Sequence, residues 1–128
     1  NEVTIDSNEV TDKLLSNASI RSKIANLEMN EKIFELTIQR ALDEHKAGNN
    51  SGAVSSFFKY YGTELAMQKE ELRLEVNGFN STEWTSEESN NGREARYFNR
   101  SKGHSIEGGT HEVQLNIIAK RVLGLPSK

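Results

Sequence analysis

The sequence predicts an all-α protein, a partial up-down four-helix bundle, and three observations carry that prediction. Apolar residues recur at three- and four-residue steps along three separate stretches. A glycine closes each stretch, at the point where a helix commonly ends in a left-handed residue. Asn/Ser/Gly turn chemistry separates the first stretch from the second.

Residues 1–17 read as a polar lead-in, with one helical turn expected near 10–15. Residues 18–128 form the domain. The first helix is expected over 18–47. Ile20, Ile24, Leu27, Phe34, Ile38 and Ala41 trace one of its faces, with Glu31 in the single polar slot. A second row of Met29, Ile33, Leu36 and Leu42 widens the apolar surface, as in a helix that sits between neighbours. Ser16 or Ser19 is the expected start cap, and Ala47-Gly48 the stop.

Asn49-Asn50-Ser51-Gly52 then turns the chain. The second helix is expected over 51–77, on a stripe of Val54, Phe58, Tyr61, Leu65, Leu72 and Val76 interrupted by Gln68. Gly78 ends it. Two long helices joined by so short a turn lie antiparallel. Residues 79–105 differ, being rich in Asn, Ser and Glu with isolated aromatics at Trp84, Tyr97 and Phe98. A structureless loop of that length is unusual in a compact domain. A short helix is therefore expected near 92–100, with mobility confined to 83–91. The last helix starts after Gly108-Gly109. One side carries Val113, Ile117, Leu123 and the methylene stem of Lys120, and another carries Leu115, Ile118 and Val122. Gly124 and Pro126 stop it.

Composition bounds the function. The chain has 128 residues, enough for one domain and one core. Apolar residues make up only 34% and charged residues 27%, a balance that fits a helical domain burying one face against a partner. The 16 basic residues are interspersed with 19 acidic ones for a net charge of −3, so no nucleic-acid surface is expected. There is no cysteine, which removes disulfides, thiolate metal sites, iron–sulfur clusters and cysteine nucleophiles together. That suits a reducing compartment, and a cytoplasmic location is expected.

No apolar run approaches the roughly 20 residues that span a bilayer, and no signal peptide is visible, so no membrane association is expected. The chain begins at Asn1 rather than methionine, as a piece of a longer protein would. His45, His104 and His111 share no zinc-ligand spacing, and no metal is expected. Phe57, Phe58, Tyr60 and Tyr61 at helical spacing read as core rather than as a ring-stacking box. Arg93, Arg96, Arg100 and Lys102 form a basic run that reads as a solvated face, with a nucleotide phosphate as the alternative.

The sharpest motif is Glu107-Gly108-Gly109-Thr110-His111-Glu112-Val113-Gln114. Two glycines precede a helix and a hydroxyl sits at its first turn. Such a start leaves backbone amides unpaired at the positive end of the helix dipole. It suits an anion or the polar part of a nucleotide, and equally a plain turn with an N-cap.

The stretch from Glu107 through Leu115-Asn116-Ile117-Ile118-Ala119-Lys120-Arg121-Val122-Leu123-Gly124-Leu125-Pro126 resembles the C-terminal signature of acyl-CoA dehydrogenases. Tyr61-Gly62-Thr63-Glu64-Leu65 resembles a segment of one branch of that family. Arg96-Tyr97-Phe98-Asn99-Arg100-Ser101-Lys102 resembles the segment just ahead of the signature, and order and spacing agree. The resemblance covers about residue 19 to the end. It implies the last three helices of the family's C-terminal four-helix bundle, without the first bundle helix and the two preceding domains. An isolated fragment of that kind is expected to be inactive.

The resemblance implies FAD as cofactor, an acyl-CoA thioester as substrate and an electron-transfer flavoprotein as electron acceptor. The implied reaction is α,β-dehydrogenation, in which a carboxylate removes the α-proton and the flavin takes the β-hydride. It also implies a homo- or hetero-oligomer, and self-association of the fragment through an open apolar groove. Carried over residue by residue, the flavin contacts are Gly108, Gly109, Thr110 and Glu112, with Gln114 a further position of the pattern. The catalytic glutamate of many members falls at Gly108 here, and Glu107 lies one residue earlier. One step along a helix start swings a side chain by about 100°, so Glu107 reads as a solvated loop carboxylate rather than the base. Members with glycine at this place carry the base on the first bundle helix, or lack one and serve as partner subunits. Two alternatives stay open at this point: such a base-less partner subunit, and a non-enzymatic helical interaction domain.

Overall fold

The computed structural model describes residues 16–49, 52, 54–87 and 89–126. The expected helical turn at 10–15 lies outside the described residues. Among the described residues four α-helices carry the fold: α1 (Ala18–Lys46), α2 (Val54–Asn77), α3 (Arg93–His104) and α4 (His111–Ile117). A 3-10 turn at Phe79–Thr82 follows α2, and a π-helical turn at Ile118–Val122 continues α4. There is no strand among the described residues, and the all-α, partial-bundle architecture stands.

Asn17 caps α1, not Ser16 or Ser19. Its side-chain carbonyl accepts from the amides of Ser19 at 3.0 Å and Ile20 at 3.4 Å. Asparagine reaches both orphan amides from a single extended residue, which is why it outcompetes the serines on either side. The end of α1 follows the glycine rule. Gly48 sits at φ +85°, its amide bonds His45 O, and the Asn49 amide reaches back to Glu44 O. That pair of bonds is a Schellman closure. Helix α2 is described from Val54, and the expected start at 51 lies, with residues 50 and 53, outside the described residues. Gly78 ends α2 at φ +68°. Gly78 N bonds Leu74 O and Ser81 N bonds Gly78 O, and the Ser81 hydroxyl shares its one proton between the same two carbonyls.

Cross-helix pairs fix the direction of α1 against α2. Lys23 meets Glu75 at 2.6 Å and Lys69 meets Glu31 at 2.8 Å, so a rising number on one helix pairs with a falling number on the other. The helices are antiparallel, as the short connection requires. Between those ion pairs and the connecting turn the aromatics interlock. Phe34 of α1 packs edge-on to Phe58 and tilted on Tyr61, and Phe57 stacks on Tyr61 at 5.7 Å. Contacts of this kind add about 0.5–1.5 kcal/mol beyond area burial. The four α2 aromatics are therefore packing groups, as their spacing predicts.

Helix α2 is the hub. It takes α1 on one side, and α3 and α4 on another. Leu65, Ile20 and Ala95 are the buried apolar residues among those described. No other described element packs broadly against α1. Its second apolar row is correspondingly open, with Met29, Ile33 and Leu36 each more than half exposed. On the two apolar sides of the last helix Val113, Leu115, Val122 and Leu123 are exposed too, while Ile117 and Ile118 are half-buried. The pattern marks two apolar rows on α1, and the described residues cover one of them.

The 79–105 stretch holds more structure than its composition shows. After the 3-10 turn the backbone folds through successive bends, with the Asn91 amide on Ser86 O and the Gly92 amide on Ser89. Asn90 and Asn91 adopt left-handed conformations there, which asparagine tolerates better than most residues. Arg96 lies over the Trp84 ring at 4.4 Å. The short helix expected at 92–100 is present and extends to His104.

Candidate functional site

The glycine motif is a tight turn between α3 and α4. The Ile106 and Glu107 amides both bond Gly103 O, which carries the end of α3 into the turn. Gly108 and Gly109 then take φ +67° and +102°, a region where a β-carbon is strained. Their surroundings differ. A β-carbon on Gly108 meets nothing within 4 Å, whereas one on Gly109 lands 2.6 Å from the Gln114 side-chain nitrogen. One glycine presents open backbone to the outside; the other is packed from within.

Thr110 caps α4, its hydroxyl oxygen accepting from the Val113 amide at 3.4 Å. Gln114 is 7% exposed and donates its amide to Gly108 O at 3.1 Å. His111 anchors the turn to α2. Its Nδ1 pairs with Glu64 Oε1 at 3.1 Å, and its ring stands edge-on to Tyr60 at 4.9 Å. His111 Nε2 is buried without a hydrogen-bond partner, so the Glu64 contact is the ring's polar anchor. Sequence reasoning did not place His111 or Gln114 in this bracing role. The available signal was weak: Tyr60 and Glu64 stand four residues apart on one face of α2, ready to receive a side chain.

Thr110, Gly108 and Gly109 thus share one turn, and Glu112 lies in the first turn of α4, exposed to solvent. The Glu112 carboxyl is held below its ordinary value by its own backbone amide first and then by the Thr110 hydroxyl. Glu107 is also exposed. His104 hydrogen-bonds it, Arg100 reaches it at 3.2 Å, and together they hold its carboxyl below the usual range. An α-proton base needs the reverse, a dry carboxyl with a raised pKa. Here the side chain is a hydrated, ionised tie between α3 and the turn.

Beside the turn lies an open cleft of about 440 Å³ walled by Lys59, Thr63, His104, Glu107 and Gly108. The basic run is largely engaged: Lys102 pairs with Glu71, Arg100 with Glu107, and Arg93 and Arg96 lie over Tyr97 and Trp84. Among the described residues no three His, Cys, Asp or Glu side chains group as metal ligands, and no helix is long and apolar enough to cross a membrane. The α-helical part of α4 is only seven residues long, so its dipole is a slender basis for anion binding.

The family profile for "Acyl-CoA dehydrogenase, C-terminal domain" matches residues 6–123. The chain belongs to that family. The match starts inside the stretch read as a lead-in, and it includes the whole of the glycine turn. A comparison of this acyl-CoA dehydrogenase C-terminal domain with curated proteins gives no match. Among solved structures, the ChsE4-ChsE5 complex from Mycobacterium tuberculosis is similar, with a TM-score of 0.74 at 28% sequence identity. The likeness covers 90% of this chain and 30% of that chain. The domain therefore spans under a third of the length of that relative.

Nothing at Gly108 obstructs a ligand such as a nucleotide. Gly108 leaves an open approach to the backbone, and Gly109 is held in a conformation that keeps that approach in place.

Proposed function

We propose that this domain is the C-terminal part of an FAD-dependent acyl-CoA dehydrogenase that introduces an α,β double bond into acyl-CoA thioesters. Gly108, Gly109, Thr110 and Glu112 form its share of the FAD site. The observation that carries the reading is the braced turn with two left-handed glycines, lying within the family match. Bound there, FAD would supply the hydride acceptor, with an electron-transfer flavoprotein as the onward acceptor. The chain's own residues orient and exclude. Gly108 admits close approach to the backbone, Thr110 fixes the start of α4, and Glu112 stays ionised at its first turn. Glu107 remains in solvent, tied to His104 and Arg100, so the α-proton is removed by a carboxylate elsewhere in the complete protein. The open rows of α1 and α4 supply subunit contacts in a homo- or hetero-oligomer.

The test is an anaerobic absorbance spectrum of the complete gene product, before and after adding a set of acyl-CoAs. A flavin band that bleaches with one class of thioester supports the dehydrogenase and names the substrate class. A colourless protein, under conditions where FAD was supplied, leaves a helical interaction domain.

A second reading has its own observation. Glycine occupies the family's base position and Glu107 is committed to His104 and Arg100, as in a subunit that pairs with a competent partner. Bound flavin that bleaches only after a second gene product is added selects this reading.

A further inference from the structure

We propose that Gln114 is the positioning residue of the flavin-binding turn, acting through Gly108 and Gly109 rather than by touching the cofactor; this rests on the FAD reading above. Within α4, Gln114 is the buried residue, at 7% exposure, while apolar neighbours such as Val113 and Leu115 face out. That inverts the usual order, because a buried amide is costly unless it is hydrogen-bonded. The bond it makes explains the burial. Its side-chain nitrogen donates to Gly108 O at 3.1 Å, six residues back.

The same residue holds the turn a second time through its backbone amide, which bonds Thr110 O at 3.0 Å. Gln114 thus fastens the turn on both sides of Gly109. It also fills space, since its amide nitrogen occupies the volume a side chain at Gly109 would need. Fixing Gly108 and Gly109 at φ +67° and +102° costs conformational entropy, glycine losing more on ordering than any other residue. A turn held open and ordered before binding spares the ligand that cost. Gln114 points inward, away from the open side of Gly108, so its influence on a ligand passes through the backbone it holds.

Two variants of similar shape test this. Gln114→Met has no donor at any pH. Gln114→Glu has none while ionised, but a protonated carboxyl donates to Gly108 O again. Burial raises the pKa of a carboxyl, so this recovery belongs at about pH 5. Amide hydrogen exchange at positions 113 and 114, whose backbone amides bond the Thr110 hydroxyl and Thr110 O, is the first readout in the 128-residue chain, expressed as protection relative to the free peptide. At pH 7 both variants are expected to lose about tenfold in protection, the equivalent of one internal hydrogen bond. At about pH 5 only Gln114→Glu recovers it. The second readout is the FAD dissociation constant of the complete gene product, expected to rise about tenfold and to recover in parallel.

Unchanged protection in both variants overturns the brace. Lost protection with unchanged FAD affinity overturns the positioning role. A wild-type product that binds no FAD sinks the functional reading, while the exchange data still decide whether Gln114 holds the turn. Should Gln114→Met fail to fold, Gln114→Glu compared with itself at the two pH values decides the same question.

Discussion

The α1–α2 hairpin and the turn at 105–114 are built on opposite plans. The hairpin is held by contacts between residues far apart in sequence: Phe34 with Phe58 and Tyr61, and Lys23 with Glu75. The turn is held mainly by short loops of chain, through Thr110 on Val113 and Gln114 on Gly108, with one tether from His111 to Glu64. The hairpin is apolar and unfinished, since the outer row of α1 stays exposed. The turn is polar and closed on itself. Hydrophobic surface needs a second body to cover it, whereas hydrogen bonds are satisfied by whichever partner is nearest. The region that needs a partner and the region suited to a ligand are therefore distinct.

Substitutions can break or sharpen this contrast. The largest effect is expected in the hairpin core. Leu65→Ala should cost about 3 kcal/mol of unfolding free energy by urea titration. A loss below about 1 kcal/mol would show that the hub of the fold lies elsewhere. Next comes Gly109→Ala, which forces a β-carbon against Gln114 at φ +102° and should cost about 2 kcal/mol. Gly108→Ala faces open space and should cost about 1 kcal/mol. Equal losses at the two glycines would erase the distinction between a packed and an open side.

The outer row of α1 supplies the third comparison. The isolated chain is expected to self-associate, and Ile33→Lys should weaken that association about tenfold in sedimentation equilibrium. Monomer stability should move by less than about 0.5 kcal/mol, since the side chain is exposed. A chain that stays monomeric at millimolar concentration would remove the unfinished half of the contrast. Thr110→Ala removes the cap of α4 and should cost about 1 kcal/mol, felt as faster amide exchange confined to α4.

The smallest effect is electrostatic. The folded pKa of Glu107 lies below its ordinary value of 4.5, so its tie to His104 and Arg100 is complete above that value. Stability from it is lost as pH falls through the depressed folded pKa. Carbon-detected NMR should put the Glu107 midpoint below 4.5, and His104→Ala should move it back up. A midpoint at or above 4.5 in the wild type would reopen Glu107 as a base.

Helix positions were largely legible because periodicity and glycine stops are local signals. The row from Ile20 to Ala41 predicts α1, and Gly48 and Gly78 end α1 and α2 as expected. Cap identity was less so, because Ser16, Asn17 and Ser19 are all competent capping residues. Only the backbone geometry decides that Asn17 takes the role. The fate of the second apolar rows was not legible. A pattern records which residues avoid water, not whether this chain or another covers them. At the turn, both glycines and the Thr110 cap follow from residue type. The inward course of Gln114 depends on packing six residues away, which no local spacing encodes. That Glu107 stands one residue before Gly108 is legible in the sequence, whereas its ties to His104 and Arg100 appear only in the structure.

The tetrapeptide Gly62-Thr63-Glu64-Leu65 looks in two directions. A β-carbon at Gly62 would meet the Phe34 ring at 3.0 Å, and two residues on, Glu64 receives His111. It works as a gauge block between the hairpin and the turn, setting how close α1 sits and where α4 begins. Bulk added at position 62 would have to be matched by bulk removed at position 34, or the error would be carried two residues along to the anchor of the glycine turn.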